Sequence, residues 1–103
     1  MGESGRPVPS LAELKERRDE ILRIAAQYGA SNVRVFGSVA RGEASLESDV
    51  DFLVTFTRQV SLFDRAGLWL DLQTLLNCPV DVVDDQAVKS ALRSSILSDA
   101  VAI

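Results

Sequence analysis

Two aspartates, Asp49 and Asp51, flank a single valine and run directly into Phe52-Leu53-Val54. That run has high β propensity, and in a strand side chains two apart leave the same face. Both carboxylates then point one way, as a pair of hard oxygen donors. Mg²⁺ is typically held by one or two protein carboxylates together with substrate phosphates, so the pair is a candidate claw for a divalent ion. Gly37-Ser38 precedes it, with residues 39–48 between. A glycine where the chain leaves Val33-Arg34-Val35-Phe36 lets the backbone approach a ligand without a Cβ in the way. A turn that opens a short helical segment over 39–41 directs N–H groups at an anion. Ser38 adds a hydroxyl, and Arg41 a planar, permanently charged fork matched to phosphate oxygens. Ser45 and Ser48 bring further hydroxyls, either as donors to phosphate or as ordinary loop caps; Ser48 is kept as a candidate. Phosphate on one side of the loop and metal on the other is the chemistry these residues spell.

Competing signatures fail. An EF-hand would need an acid or amide where Leu53 stands, and residues 37–42 contain neither Gly-Lys-Ser/Thr nor Gly-x-Gly-x-x-Gly. An isolated Asp-x-Asp is more often the solvated start of a strand than a ligand pair, so its neighbours decide. With no His and one Cys, Cys78, zinc sites and Ser-His or Cys-His triads are excluded by inventory.

The elements that must position these groups follow from local patterns. Met1–Pro9 is polar and rich in Gly and Pro, expected as a flexible lead (1–9) to a single domain over 10–103. Ser10-Leu11-Ala12-Glu13 fits a capping box, and Leu14, Ile21, Leu22, Ala25 and Tyr28 recur at helical spacing up to Gly29. Val33–Phe36 reads as a first strand and Val50–Phe56 as a second, with Val50, Phe52 and Val54 toward a core and Leu53 on the acid-bearing side. Ser61 begins a helix with Leu62, Ala66, Trp69, Leu70, Gln73 and Leu76 at helical intervals, broadened by Leu68, Leu72 and Leu75, and Trp69 is expected in the core. Asn77-Cys78-Pro79 ends it, and Val80-Asp81-Val82-Val83 is a third strand. A lone acid in such a strand is costly unless it is paired or holds a metal. Asp81 is therefore expected to complete a three-carboxylate cluster with Asp49 and Asp51, or else to sit on a peripheral strand. Residues 87–97 read as a broken helix, with Leu92, Ile96, Leu97 and Val101 as core or partner-contact residues. The expected fold is α/β (α+β), a short mixed sheet of about three strands flanked by helices in the order α-β-α-β-α-β-α.

The chain's 103 residues suit one domain, and 47% hydrophobic with 25% charged residues suits a folded one. A net charge of −4 opposes broad binding to a nucleic-acid backbone, so no direct nucleic-acid binding is expected. No signal-like start and no long apolar run occurs, so a cytoplasmic protein without membrane contact is expected.

The stretch GSVARGEASLESDVDFLV, from Gly37 through Asp49-x-Asp51, resembles the signature of the DNA polymerase beta type nucleotidyltransferases, in particular their minimal (MNT-domain) members. The likeness extends to the flanking helices and to the later strand carrying Asp81. It implies a nucleotidyltransferase fold, two Mg²⁺ ions on Asp49, Asp51 and Asp81, and ATP as substrate. Gly37, Ser38, Arg41 and Ser48 are then the nucleotide side, and Asp81 takes the proton of the attacking hydroxyl. It further implies an antitoxin that transfers AMP to a tyrosine hydroxyl of a partner HEPN toxin ribonuclease. Two other roles stay open: an antitoxin that works by occlusion alone, and a small-molecule nucleotidyltransferase.

Overall fold

Ser10 and Glu13 exchange hydrogen bonds, Ser10 Oγ accepting from the Glu13 N–H at 3.1 Å and Glu13 Oε1 from the Ser10 N–H at 2.8 Å, so the first helix starts on a reciprocal capping box. In the computed structural model, which describes residues 8–57 and 59–103, that helix does not run unbroken to Tyr28. It divides into α1 (Leu11–Glu16) and α2 (Arg18–Gln27) at Arg17, whose φ of −104° and ψ of 18° depart from the helix. The break frees the Arg17 side chain, which donates to the Leu75 carbonyl at 3.0 Å and to Glu20. A carbonyl that a helix end leaves without a partner is satisfied in this way. Of the expected lead, residues 1–7 lie outside the described residues, and Val8 is buried in the core.

The rest of the chain alternates β1 (Ala30–Phe36), α3 (Gly37–Arg41), β2 (Val50–Phe56), α4 (Leu62–Leu76), β3 (Val80–Asp84), α5 (Ser90–Asp99) and β4 (Val101–Ala102). The sheet is mixed, in the order β3-β2-β1-β4, with β2 and β3 parallel and the β1 pairings antiparallel. The fourth strand adds to the three expected, and at two residues it is too short to show an alternation.

Val35, Val50, Phe52 and Val54 are fully buried in one cluster with Leu14, Ile21, Leu68 and Leu72, so α1, α2 and α4 cover this face of the sheet. Leu53, on the opposite face, is also fully buried. Both faces of β2 are therefore covered, as its near-continuous apolar run requires.

On α4 the buried residues are Leu68, Leu72 and Leu76, while Leu62, Phe63 and Leu70 are exposed. This corrects the expected stripe and the expectation of a core Trp69. With leucines on most sides of α4, periodicity cannot choose the inner face; Gly67 and Trp69 do. Gly67 packs against the Tyr28 ring so closely that a Cβ there would overlap it, and the Trp69 indole stays at the edge, donating to the Val80 carbonyl at 2.7 Å. Gly67→Ala is expected to lower unfolding free energy by about 2 kcal/mol in urea titration, since it also displaces the Tyr28 hydroxyl from Asp71, 2.6 Å away. α5 is continuous rather than broken, and none of its residues is buried. Leu92 and Leu97 are thus not core.

Candidate active site

The parallel register of β2 and β3 sets Asp51 directly beside Asp81, and the antiparallel register of β1 sets Phe36 on its other side. Paired residues project to the same face, so Asp51 and Asp81 share one. The next residue after Phe36 is Gly37, held at a φ of 75°. A Cβ at Gly37 would overlap the Asp51 carboxylate. The glycine is required twice, for its left-handed backbone and for a carboxylate lying against it. Ser38 follows in α3, half-buried, and Gly42 closes that helix in the left-handed conformation.

Asp51 is half-buried, whereas Asp49 and Asp81 are exposed. Burial, then the charges of Asp81 and Asp49, push the Asp51 carboxyl above its usual range, with Arg41 opposing them. Asp81, Asp49 and Arg41 each act on the charge of Asp51. Like charges brought together in this way are relieved by a cation or a proton, and three carboxylates are the hard oxygen donors that Mg²⁺ takes. Among the described residues, no three His, Cys, Asp or Glu side chains are gathered so as to hold a metal ion, so the expected three-carboxylate cluster is not assembled in the ligand-free chain. Burial and the charge of Asp49 push the Cys78 thiol up, leaving it a poor nucleophile beside this cluster.

The remaining candidates are placed less simply. Ser48 Oγ accepts from the Ser45 N–H at 2.8 Å, the loop-capping geometry that was the alternative to phosphate contact. Arg41 is engaged by two carboxylates, with Nε donating to Glu43 at 3.0 Å and Nη1 to Asp99 at 2.6 Å. Neither partner was singled out in the sequence. Asp99 carried a signal all the same, since an acid in the last turn of a helix opposes the macrodipole and calls for a cationic partner.

The acid-bearing face continues into a second charged group away from the loop. Asp85 is the buried acid among the described residues, and its Oδ2 accepts from Arg34 at 2.6 Å and from Thr55 at 2.5 Å. Burial pushes its carboxyl up, but the Thr55 and Arg34 hydrogen bonds outweigh this and hold it below the usual range. A buried pair so satisfied fixes the end of β3 rather than offering a site.

The sequence model of the family described as "Polymerase beta, Nucleotidyltransferase" matches residues 19–103, a span holding all three acids and the Gly37 loop. The chain belongs to this nucleotidyltransferase family. Its relatives include the protein adenylyltransferase MntA of Thermococcus cleftensis, 39% identical over 75 residues, or 73% of this chain and 76% of that protein. A solved structure provisionally named a minimal nucleotidyltransferase is 43% identical, with a TM-score of 0.81, over 92% of this chain and 97% of its own. A complex described as a tri-AMPylated Shewanella oneidensis HEPN toxin with an MNT antitoxin contains a chain of the same fold, 18% identical, with a TM-score of 0.65, over 85% of this chain and 69% of that one. Residues 19–103 of this nucleotidyltransferase match the family's model, with Asp49 just before β2 and Asp51 within it.

Proposed function

We propose that this nucleotidyltransferase is an antitoxin that transfers AMP from ATP, with Mg²⁺, to a tyrosine hydroxyl of a partner HEPN toxin and so neutralises it. The observation that carries the proposal is Asp51 seated under the Gly37 backbone and in register with Asp81. The adenylyltransferase name of its Thermococcus relative and the AMPylated toxin in the Shewanella complex support the choice of AMP as the group transferred and of a HEPN toxin as partner.

In this reading Gly37 and Ser38, with Arg41, would hold the β- and γ-phosphates, and Asp49, Asp51 and Asp81 would hold two Mg²⁺ ions, while Ser48 caps its own loop. When bound, the ions neutralise and orient the triphosphate. The acceptor oxygen attacks the α-phosphorus, its proton passes to Asp81, and the bond to the bridging oxygen breaks to release pyrophosphate. The protein's contribution is position and charge rather than a covalent intermediate. No helix among the described residues is long and apolar enough to cross a membrane, and we place the reaction in the cytoplasm.

The test combines the purified protein, Mg²⁺, ATP labelled at the α-phosphate and the cognate toxin. The toxin is expected to take up label, and Asp49→Ala/Asp51→Ala to abolish labelling with the far-UV dichroism unchanged. Full neutralisation by that double variant would replace transfer with occlusion. Labelling of free hydroxyl compounds in the absence of toxin would point to a small-molecule enzyme.

A further inference from the structure

α5 has no buried residue, yet it sits in one place because it is tied at both ends. At its start Arg93 donates to the Asp85 carbonyl at 2.8 Å. At its end β4 pairs with β1, Val101 opposite Val35, two residues before the Gly37 loop. That pairing carries Asp99 up to α3, where its carboxylate takes the Arg41 Nη1 at 2.6 Å while Glu43 takes Nε.

We propose that Asp99, with Glu43, is a positioning residue that fixes the direction in which Arg41 presents its guanidinium to the triphosphate. The inference rests on the phosphate-binding role given to Arg41 above. An exposed ion pair adds little to stability, and the Arg41 side chain is 45% exposed against 26% for Asp99. A purely structural role is therefore a poor account of so short a contact. Arginine has a long side chain with many rotamers, and holding it beforehand removes an ordering cost from ligand binding. The two carboxylates occupy Nε and Nη1, and the Nη2 group is outside both contacts. The fork is thus held from its stem side with one amino group left over for an anion.

The experiment has two arms on the full chain. In the first, the Arg41 Nη–H resonances are followed without nucleotide: they are expected to be distinct and slowly exchanging in the wild type and averaged in Asp99→Asn. In the second, Mg-ATP is titrated calorimetrically into the wild type, Asp99→Asn, Arg41→Ala and the double variant. Asp99→Asn is expected to weaken ATP binding about tenfold, Asp99→Glu to recover part of the loss, and the double variant to bind no worse than Arg41→Ala. An ATP affinity unmoved by Asp99→Asn, or a loss that persists undiminished in the Arg41→Ala background, overturns the inference and leaves the site reading intact. A wild type that binds no Mg-ATP overturns both.

Discussion

Asp51→Asn is expected to abolish AMP transfer while making the ligand-free protein more stable. The two effects share one cause. Burial and the charges of Asp81 and Asp49 raise the Asp51 carboxyl above its usual range, so the fold holds this proton more tightly than the unfolded chain does. The stability that goes with the proton is fully present below the usual aspartate range and is lost as pH rises through the elevated folded value. At neutral pH the ionised Asp51 is therefore a cost, and the isosteric amide removes it. The expected gain in melting temperature is about 4 °C at pH 7, shrinking to nothing near pH 3, where both proteins carry a neutral group. Mg²⁺ should reverse the order, stabilising the wild type and leaving the variant unmoved. Transfer should fall at least about 1000-fold, or about 4 kcal/mol of transition-state stabilisation. Equal melting temperatures across the pH series would show that Asp51 is not under strain from its neighbours. An unchanged transfer rate would remove it from the site.

The central strand was legible because one run of residues satisfied two demands at once. Val50, Phe52 and Val54 had to alternate into a core, and the same alternation put Asp51 on the other face; both hold, with Val50 and Phe52 fully buried and Asp51 half-exposed. The Ser10 capping box was equally plain, since it needs only side chains three residues apart. Asp81 was legible only as a choice of two: it is exposed on β3, an edge strand, which is the peripheral placement, and only the parallel register sets it beside Asp51.

What escaped had no local period. On α4, leucines at 62, 68, 70, 72, 75 and 76 surround the helix, and the inner face is chosen by Gly67 yielding room to Tyr28, which follows the end of α2. The break at Arg17 depends on a carbonyl at Leu75, far along the chain. Arg34 with Asp85, and Arg41 with Asp99, are pairs separated by 51 and 58 residues. No motif spans such distances, and an exposed acid looks the same in sequence whether or not an arginine awaits it. Only Asp99, set against the dipole of its own helix, gave notice.

Gly37→Ala is expected to damage fold and site together, and Gly42 supplies the control that separates the causes. The two glycines have nearly the same backbone, with φ of 75° at Gly37 and 73° at Gly42. A Cβ at Gly42 meets nothing within 4 Å, whereas at Gly37 it overlaps the Asp51 carboxylate. Gly42→Ala should therefore cost only the left-handed conformation, about 1 kcal/mol, and keep its activity. Gly37→Ala pays the same conformational cost and must also push Asp51 or the loop aside, for a total of about 3 kcal/mol in urea unfolding. Displacing a carboxylate by about 1 Å is enough to lower transfer about 100-fold. Truncating the obstructing group, in Gly37→Ala/Asp51→Ala, should recover the steric part of the stability loss, leaving the conformational part, while activity stays absent. Equal losses in Gly37→Ala and Gly42→Ala would mean that the carboxylate does not lie against the loop. The approach of Asp51 to the Gly37 backbone, on which the proposed grip on a triphosphate rests, would then have no structural basis.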